Sequence, residues 1–248
     1  MEKLARWALA PVLQAWVASK SDEVERLPRP RDEPEWHSPG PDPDRVLIFG
    51  GGPAVGWGVL SHEIGLTGSL GRALSRRTHR GADVYARPLP RLKMGGALAE
   101  FGKVRLKEYD AVVVTLGVND AGALTPTSAW ERGLSALIAT IVDRTSPNIE
   151  IFVAGVHPVR SIPLYDSLPG SIAQAHARRM NATSARVCER VGNATFIPLT
   201  APEPCEPVRF RDSRSYRHWA EELAESMSPR LTDRIARADY LSGPGTPR

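Results

Sequence analysis

The chain has 248 residues, 42% hydrophobic and 24% charged, which fits one α/β domain with extensions and a sizeable core. Its formal charge of +4 comes from dispersed arginines and lysines without an aromatic stripe, which argues against nucleic acid as a partner. The two cysteines, Cys188 and Cys205, form no CxxC pair and read as free thiols, and the six histidines lack metal-ligand spacing, so neither a metal nor a cofactor is expected.

Leu4 to Ala18 is rich in apolar residues, follows Lys3 and includes Arg6. Glu2 and Arg6 come early, Pro11 and Gln14 interrupt the run, and Trp16 would occupy the minus-three position of a cleavage after Ala18. These features argue against a secretory signal, and the run is too short to span a bilayer. Residues 1–26 therefore read as an amphipathic helix that packs on the domain or rests on a membrane surface. The expected location is the cytoplasm, with peripheral membrane contact through this helix. Residues 27–44 (LPRPRDEPEWHSPGPDPD) are proline-rich and charged, the composition of an extended connector rather than a core element. The expected organisation is helix and connector over 1–44, one domain over 45–241 and a disordered tail over 242–248.

Val46 to Phe49 is apolar without alternation, as in a strand buried on both faces. It runs into Gly50-Gly51-Gly52 and then Pro53, whose preset φ suits a first helical turn. Residues 59–78 have helical spacing in Leu60, Ile64, Leu70 and Leu74, with Arg76 and Arg77 near the end, where cations are favoured. A weaker strand at 82–87 is stopped by Pro88 and Pro90, and 93–106 is partly helical. Residues 111–116 form a third strand that ends in Gly117-Val118-Asn119-Asp120. Ser128-Ala129-Trp130-Glu131 is a capping-box pattern, followed by Leu134, Leu137, Ile138, Ile141 and Val142 on one helical face. Ile149 to Ala154 is a fourth strand, and the loop Gly155 to Gly170 carries His157, Tyr165 and Asp166. A helix over 171–191, a fifth strand over Ala194 to Leu199, a loop over 200–211 and a helix with Tyr216, Trp219, Leu223 and Met227 complete the chain. Strands alternating with helices predict an α/β class with a mainly parallel five-stranded sheet, and a site at the strand carboxyl ends.

Three blocks appear in order: Gly50-Gly51-Gly52-Pro53-Ala54-Val55-Gly56, then Gly117-Val118-Asn119-Asp120, then Tyr216-Arg217-His218-Trp219-Ala220. From Val46 to about Met227 the chain resembles the SGNH hydrolases, the GDSL esterase/lipase family. The resemblance implies a three-layer α/β/α sandwich of flavodoxin-like type. It also implies a nucleophilic serine in the first block, at the position held here by Gly52, with Gly51 in place of the preceding aspartate. The family's second oxyanion donor, a backbone N–H, falls near Leu89, and Asn119 keeps the side-chain donor. The terminal histidine falls on Phe210 or Arg211, and its acidic partner on Pro207 or Val208.

Acyl transfer of this kind needs a nucleophile, a base, an orienting acid and oxyanion donors. Glycine supplies no nucleophile. Ser61 and His62 lie too far past Gly52, and His218 falls inside the last helix. His157 is the remaining base on the ligand side, and Asp120 reads as a brace for its loop. The expected function is that of a non-hydrolytic SGNH-fold protein. Its pocket would be built from Gly51, Gly52, Pro53, Leu89, Asn119, His157 and Arg211, and would take an acyl or sugar-ester ligand or a protein partner. The alternative is an active ester hydrolase or acyltransferase with a rearranged site. A phosphate site fed by Arg87, Arg91, Lys93, Arg209 and Arg211 is disfavoured, because Gly50, Gly52 and Gly56 do not make G-x-G-x-x-G.

Overall fold

Unbroken apolar runs make the centre of the sheet. In the computed structural model, which describes residues 2–105, 109–145, 148–203 and 211–241, the strands are β1 (Glu35–Ser38), β2 (Asp44–Gly50), β3 (Ala82–Pro88), β4 (Ala111–Thr115), β5 (Glu150–Ala154) and β6 (Ala194–Ile197). Their order is β1-β3-β2-β4-β5-β6. All neighbours are parallel except β1, which runs antiparallel to β3. Every residue of β4 and β5 is buried, the apolar ones as their unbroken runs require and Glu150 with its carboxylate 3.1 Å from Arg230 Nε.

The helices are α1 (Glu2–Glu25), α2 (Leu66–Thr78), α3 (Met94–Phe101), α4 (Val118–Gly122), α5 (Thr127–Arg144), α6 (Leu168–Glu189) and α7 (Ser213–Leu241). Side chains along β2 alternate between two cores. Val46 and Ile48 join Leu70, Leu74, Trp219, Leu223 and Met227 under α2 and α7. Leu47 and Phe49 join Phe101, Leu134, Ile138 and Met180 under α3, α5 and α6. This is the expected three-layer α/β/α arrangement, with one strand more than the five expected.

The extra strand comes from the segment that reads as a connector. Between Pro34 and Pro39 the tetrapeptide Glu35-Trp36-His37-Ser38 is free of proline, long enough to add to an edge and too short to seed a sheet. Two helix starts also differ from the sequence reading. The helix expected over 59–78 begins only at Leu66, because Asp32 of the connector holds the His62 N–H at 2.9 Å and the chain before it stays irregular. The Ser128–Glu131 capping box is not formed. Pro126 O closes the first turn of α5 by accepting from the Trp130 N–H at 2.9 Å, which places Ser128 inside the helix.

α1 packs on the domain. Leu13 is fully buried, the Trp16 and Tyr165 rings lie 5.4 Å apart, and Val17 meets Gly122. Among the described residues no helix is long and apolar enough to cross a membrane.

Candidate functional site

β2 pairs with β3 on one side and β4 on the other, so the strand order reverses there. A crevice at the carboxyl ends of β2 and β4 follows. Gly50 pairs with Thr115, and the Gly51 N–H donates to Thr115 O at 2.9 Å. Gly52 then opens a 3-10 turn over Gly52–Val55 with φ +53°. A Cβ at Gly52 would meet only Val118 Cγ2, at 3.8 Å. The position thus has space for a side chain but a backbone conformation that disfavours one.

The β3–α3 loop forms one wall. The Leu89 N–H donates to Gly50 O at 2.7 Å, so it points back into the sheet. Asn119 Nδ2 donates to Pro90 O at 2.9 Å and to Leu92 O at 3.0 Å, which uses both of its amide hydrogens. The next residue continues this clasp. The buried Asp120 carboxylate accepts from the Met94 N–H at 3.0 Å and from Thr125 Oγ1 at 2.8 Å, and so braces the start of α3. Burial is the main influence on Asp120 and raises its pKa, against the lowering by these hydrogen bonds.

His157 forms the opposite wall, two residues after Gly155 at the end of β5. Its Nδ1–H donates to Pro158 O at 3.3 Å, and its Nε2 lies 2.6 Å from Arg211 Nη2 and accepts from it. The ring stacks on Trp219 at 4.9 Å, and the Arg211 guanidinium lies 4.8 Å over the same indole. Burial first, and the Arg211 charge second, hold the His157 pKa well below its ordinary 6.5. The imidazole is therefore neutral, and both ring nitrogens are engaged. Arg211 enters from the chain just before α7. That helix is fixed by the Tyr216 hydroxyl, pushed up to about 12 by burial, which donates to Trp57 O at 2.7 Å.

Gly51, Gly52, Pro53, Asn119 and His157 line one cleft, as the sequence reading brings them together. Leu89 and Arg211 stand outside its lining: the first is turned to Gly50, and the second lies behind His157. Leu92, Thr115 and Leu199 line the cleft and were not singled out from sequence. Its volume is ≈ 10 Å³, about the space of one water. Among the described residues that line it the single hydroxyl, on Thr115, donates to Phe49 O at 3.4 Å. Pro207, Val208, Arg209 and Phe210 lie outside the described residues, as does Cys205. Cys188 is a buried free thiol.

A second polar cluster sits nearby. His218 Nε2 lies 2.7 Å from Thr200 Oγ1 and 3.4 Å from the Glu222 carboxylate, which also accepts the Thr200 N–H at 3.2 Å. The hydroxyl and the acid face the same ring nitrogen. A nucleophile–base–acid relay needs them on opposite nitrogens, so the cluster ties the end of β6 to α7. The i,i+4 spacing of His218 and Glu222 was its sequence signal. His62 is buried away from the cleft, its pKa lowered by burial. Arg87 bonds Glu100 at 3.1 Å and Arg91 contacts Glu25, so two of the cations a phosphate site would need already face carboxylates. Among the described residues no three of His, Cys, Asp or Glu converge as a metal site requires.

One consequence concerns pH. The folded-state pKa of His157 lies below its unfolded value, so the unfolded chain binds more protons as the solution turns acidic. This contribution is complete above 6.5 and is lost as pH falls beneath that value, at up to about 1.4 kcal/mol per pH unit. His62 acts in the same direction. Urea unfolding at about pH 7.5 and about pH 5.5 should therefore show a drop in stability, and His157→Gln should make that drop smaller. An unchanged drop would contradict a buried neutral His157.

The sequence profile of the GDSL-like Lipase/Acylhydrolase family matches residues 48–219. No curated protein gives a significant match. Solved structures share the fold at low identity. The lipase Lip_vut3 from a goat rumen metagenome matches at 16% identity and TM-score 0.59, over 76% of this chain and 99% of that chain. A carbohydrate acetylesterase family member from Sinorhizobium meliloti matches at 16% and TM-score 0.58, over 76% and 99%. The salicylyl-acyltransferase SsfX3 from a tetracycline biosynthetic pathway matches at 15% and TM-score 0.58, over 76% of this chain. The chain spans 55% of the length of that acyltransferase, and of a GDSL-like lipase chain from Bacteroides ovatus.

Proposed function

Because the chain belongs to the GDSL-like lipase/acylhydrolase family, we propose that it is a non-hydrolytic member, a binder of an acyl or sugar-ester ligand or of a protein partner. The observation that carries this reading is Gly52. It occupies the turn where the family resemblance places the nucleophilic serine, and among the described residues no side chain lining the cleft puts a hydroxyl within reach of a base. Without a nucleophilic side chain at the turn the family's acyl-enzyme does not form. Direct attack by water would still need a base, and the Nε2 lone pair of His157 is taken by the Arg211 guanidinium while Nδ1 carries the proton given to Pro158 O. Asn119, the retained oxyanion donor, spends both amide hydrogens on Pro90 and Leu92. The names of the matched lipase, acetylesterase and acyltransferase support acyl esters as the ligand class. A cleft of ≈ 10 Å³ admits little more than a water, so a ligand rests on the rim or displaces the 89–93 loop.

The test is cleavage of short-chain p-nitrophenyl esters by the full chain, alongside thermal shift with acetylated sugars. The expected result is hydrolysis at the protein-free background, with stabilisation by a bound ligand in the thermal-shift arm. Turnover well above background that Asn119→Ala abolishes would establish the rearranged enzyme instead.

A further inference from the structure

One wall of the cleft differs from the others. Gly51, Thr115, Ala154 and His157 lie at or just past strand ends and are buried. Leu92 comes instead from the turn between β3 and α3, where Pro90, Arg91 and Lys93 are exposed. Both ends of this turn are pinned. The Leu89 N–H donates to Gly50 O at 2.7 Å, and the Met94 N–H donates to the Asp120 carboxylate at 3.0 Å. The turn closes on itself through the Leu92 N–H and Leu89 O, 3.1 Å apart. The Asn119 amide draws its tip inward, through Pro90 O at 2.9 Å and Leu92 O at 3.0 Å, and Arg91 contacts Glu25 of α1 on the outside. Gly51 completes the fit. Its φ of −112° is extended backbone open to any residue, so conformation does not call for glycine. A Cβ there would stand 3.1 Å from Leu89 O and 3.8 Å from both Pro90 O and Asn119 Nδ2. The turn thus fills the space that a side chain at position 51 would use.

We propose that the turn from Leu89 to Lys93 is a lid on the cleft, latched by the Asn119 amide. The structure is the closed state. Pro90 O and Leu92 O take the two amide hydrogens, and a cleft of ≈ 10 Å³ is shut to anything much larger than a water. When the turn lifts about its pinned ends, Leu92 leaves the wall and Asn119 is left with two unfilled donors, which a buried or half-buried amide does not tolerate without loss. An acceptor oxygen of the ligand then fills them. Lid and ligand compete for one amide, so binding is linked to opening, and whatever loosens the latch raises apparent affinity by the factor in which it raises the open population. The buried strand ends and the His157–Trp219 stack leave the turn as the wall free to move. The inference rests on the reading of this cleft as the ligand site, and adds how a ligand enters it.

The experiment is thiol labelling of the full chain carrying Gly52→Cys with dithiobis-nitrobenzoate, read by mass spectrometry. The new side chain has space at the cleft, since a Cβ at Gly52 meets only Val118 Cγ2 at 3.8 Å. The reagent is far larger than a water, so it reaches that thiol when the lid lifts. The unsubstituted chain supplies the background from Cys188 and Cys205, and the buried Cys188 reports wider unfolding. The expected result is slow labelling that Asn119→Ala accelerates about tenfold, the effect of removing two hydrogen bonds of modest net strength. Gly51→Ala keeps the amide but presses on Leu89 O, and should accelerate labelling about threefold or more. It also serves if Asn119→Ala fails to fold. The Cys188 rate should stay unchanged in both variants. Labelling that neither variant accelerates, or that rises only together with Cys188, overturns the lid. Thermal shift with glucose pentaacetate judges the ligand reading separately: a flat result beside accelerated labelling keeps the lid and removes the acyl ligand.

Discussion

Trp219→Ala is expected to lower stability by about 4 kcal/mol, and to release His157 from its neutral state. The indole is buried and serves several partners at once. His157 stacks on it at 4.9 Å, the Arg211 guanidinium lies 4.8 Å away, and the Tyr216 ring meets it edge-on at 5.9 Å. Its Nε1–H donates to Thr200 O at 2.9 Å, which joins β6 to α7. Truncation leaves a void that the rigid sheet behind it cannot close, and water then reaches His157. With less desolvation the imidazole should titrate nearer its ordinary value. Chemical unfolding measures the first effect and histidine NMR titration the second. Trp219→Phe is the control: it keeps a ring under His157 and loses mainly the Nε1 bond, so its cost should be about 1–2 kcal/mol. A loss below about 1 kcal/mol in Trp219→Ala would mean that this stack does not organise the cleft wall.

The same tryptophan shows what the sequence made legible. Within Tyr216-Arg217-His218-Trp219-Ala220 it marked the last helix correctly, because an apolar stripe at helical spacing needs only local pattern. The buried strands were readable for the same reason: Val112-Val113-Val114 has no polar residue to place outward. The edge strand was hidden because proline dominates its surroundings, while pairing along an edge needs only the four residues between. Gly51, Gly52, Pro53, Asn119 and His157 line the crevice because strand order brings their loops together, whereas Leu89 and Arg211 do not line it. How these residues are bonded was not legible. The resemblance gives Asn119 an oxyanion-donor position, yet its amide binds Pro90 and Leu92, and this depends on the path of the β3–α3 loop. The Arg211 bond to His157 joins residues 54 apart in the chain, and no spacing encodes it. Local pattern therefore gave the scaffold, and tertiary contacts decided which polar groups remain available for chemistry.

Gly50→Ala should be the most disruptive small change in the first glycine turn. Gly50 is the last residue of β2, paired with Pro88 on one side and Thr115 on the other. Its φ is +135°, outside the regions that alanine favours, at a cost of about 2 kcal/mol. A Cβ there would stand 2.5 Å from Thr115 O and 2.9 Å from Thr115 C, both backbone atoms of the central strand. Neither can rotate aside, so β2 and β4 must part, which adds about 2 kcal/mol by the usual penalty for overpacking. The sum, about 4 kcal/mol, should lower the melting temperature by roughly 8–16 °C in a domain of this size. Gly52→Ala is the informative contrast. Its Cβ meets only Val118 Cγ2 at 3.8 Å, so the cost is that of φ +53° alone, about 1 kcal/mol. Differential scanning calorimetry of the two variants separates these terms. Equal losses would show that the backbone conformation of the turn, and not the approach of β4, demands its glycines. The predicted inequality means that Gly50 serves the sheet, while Gly52 leaves a space at the cleft floor that a side chain could fill.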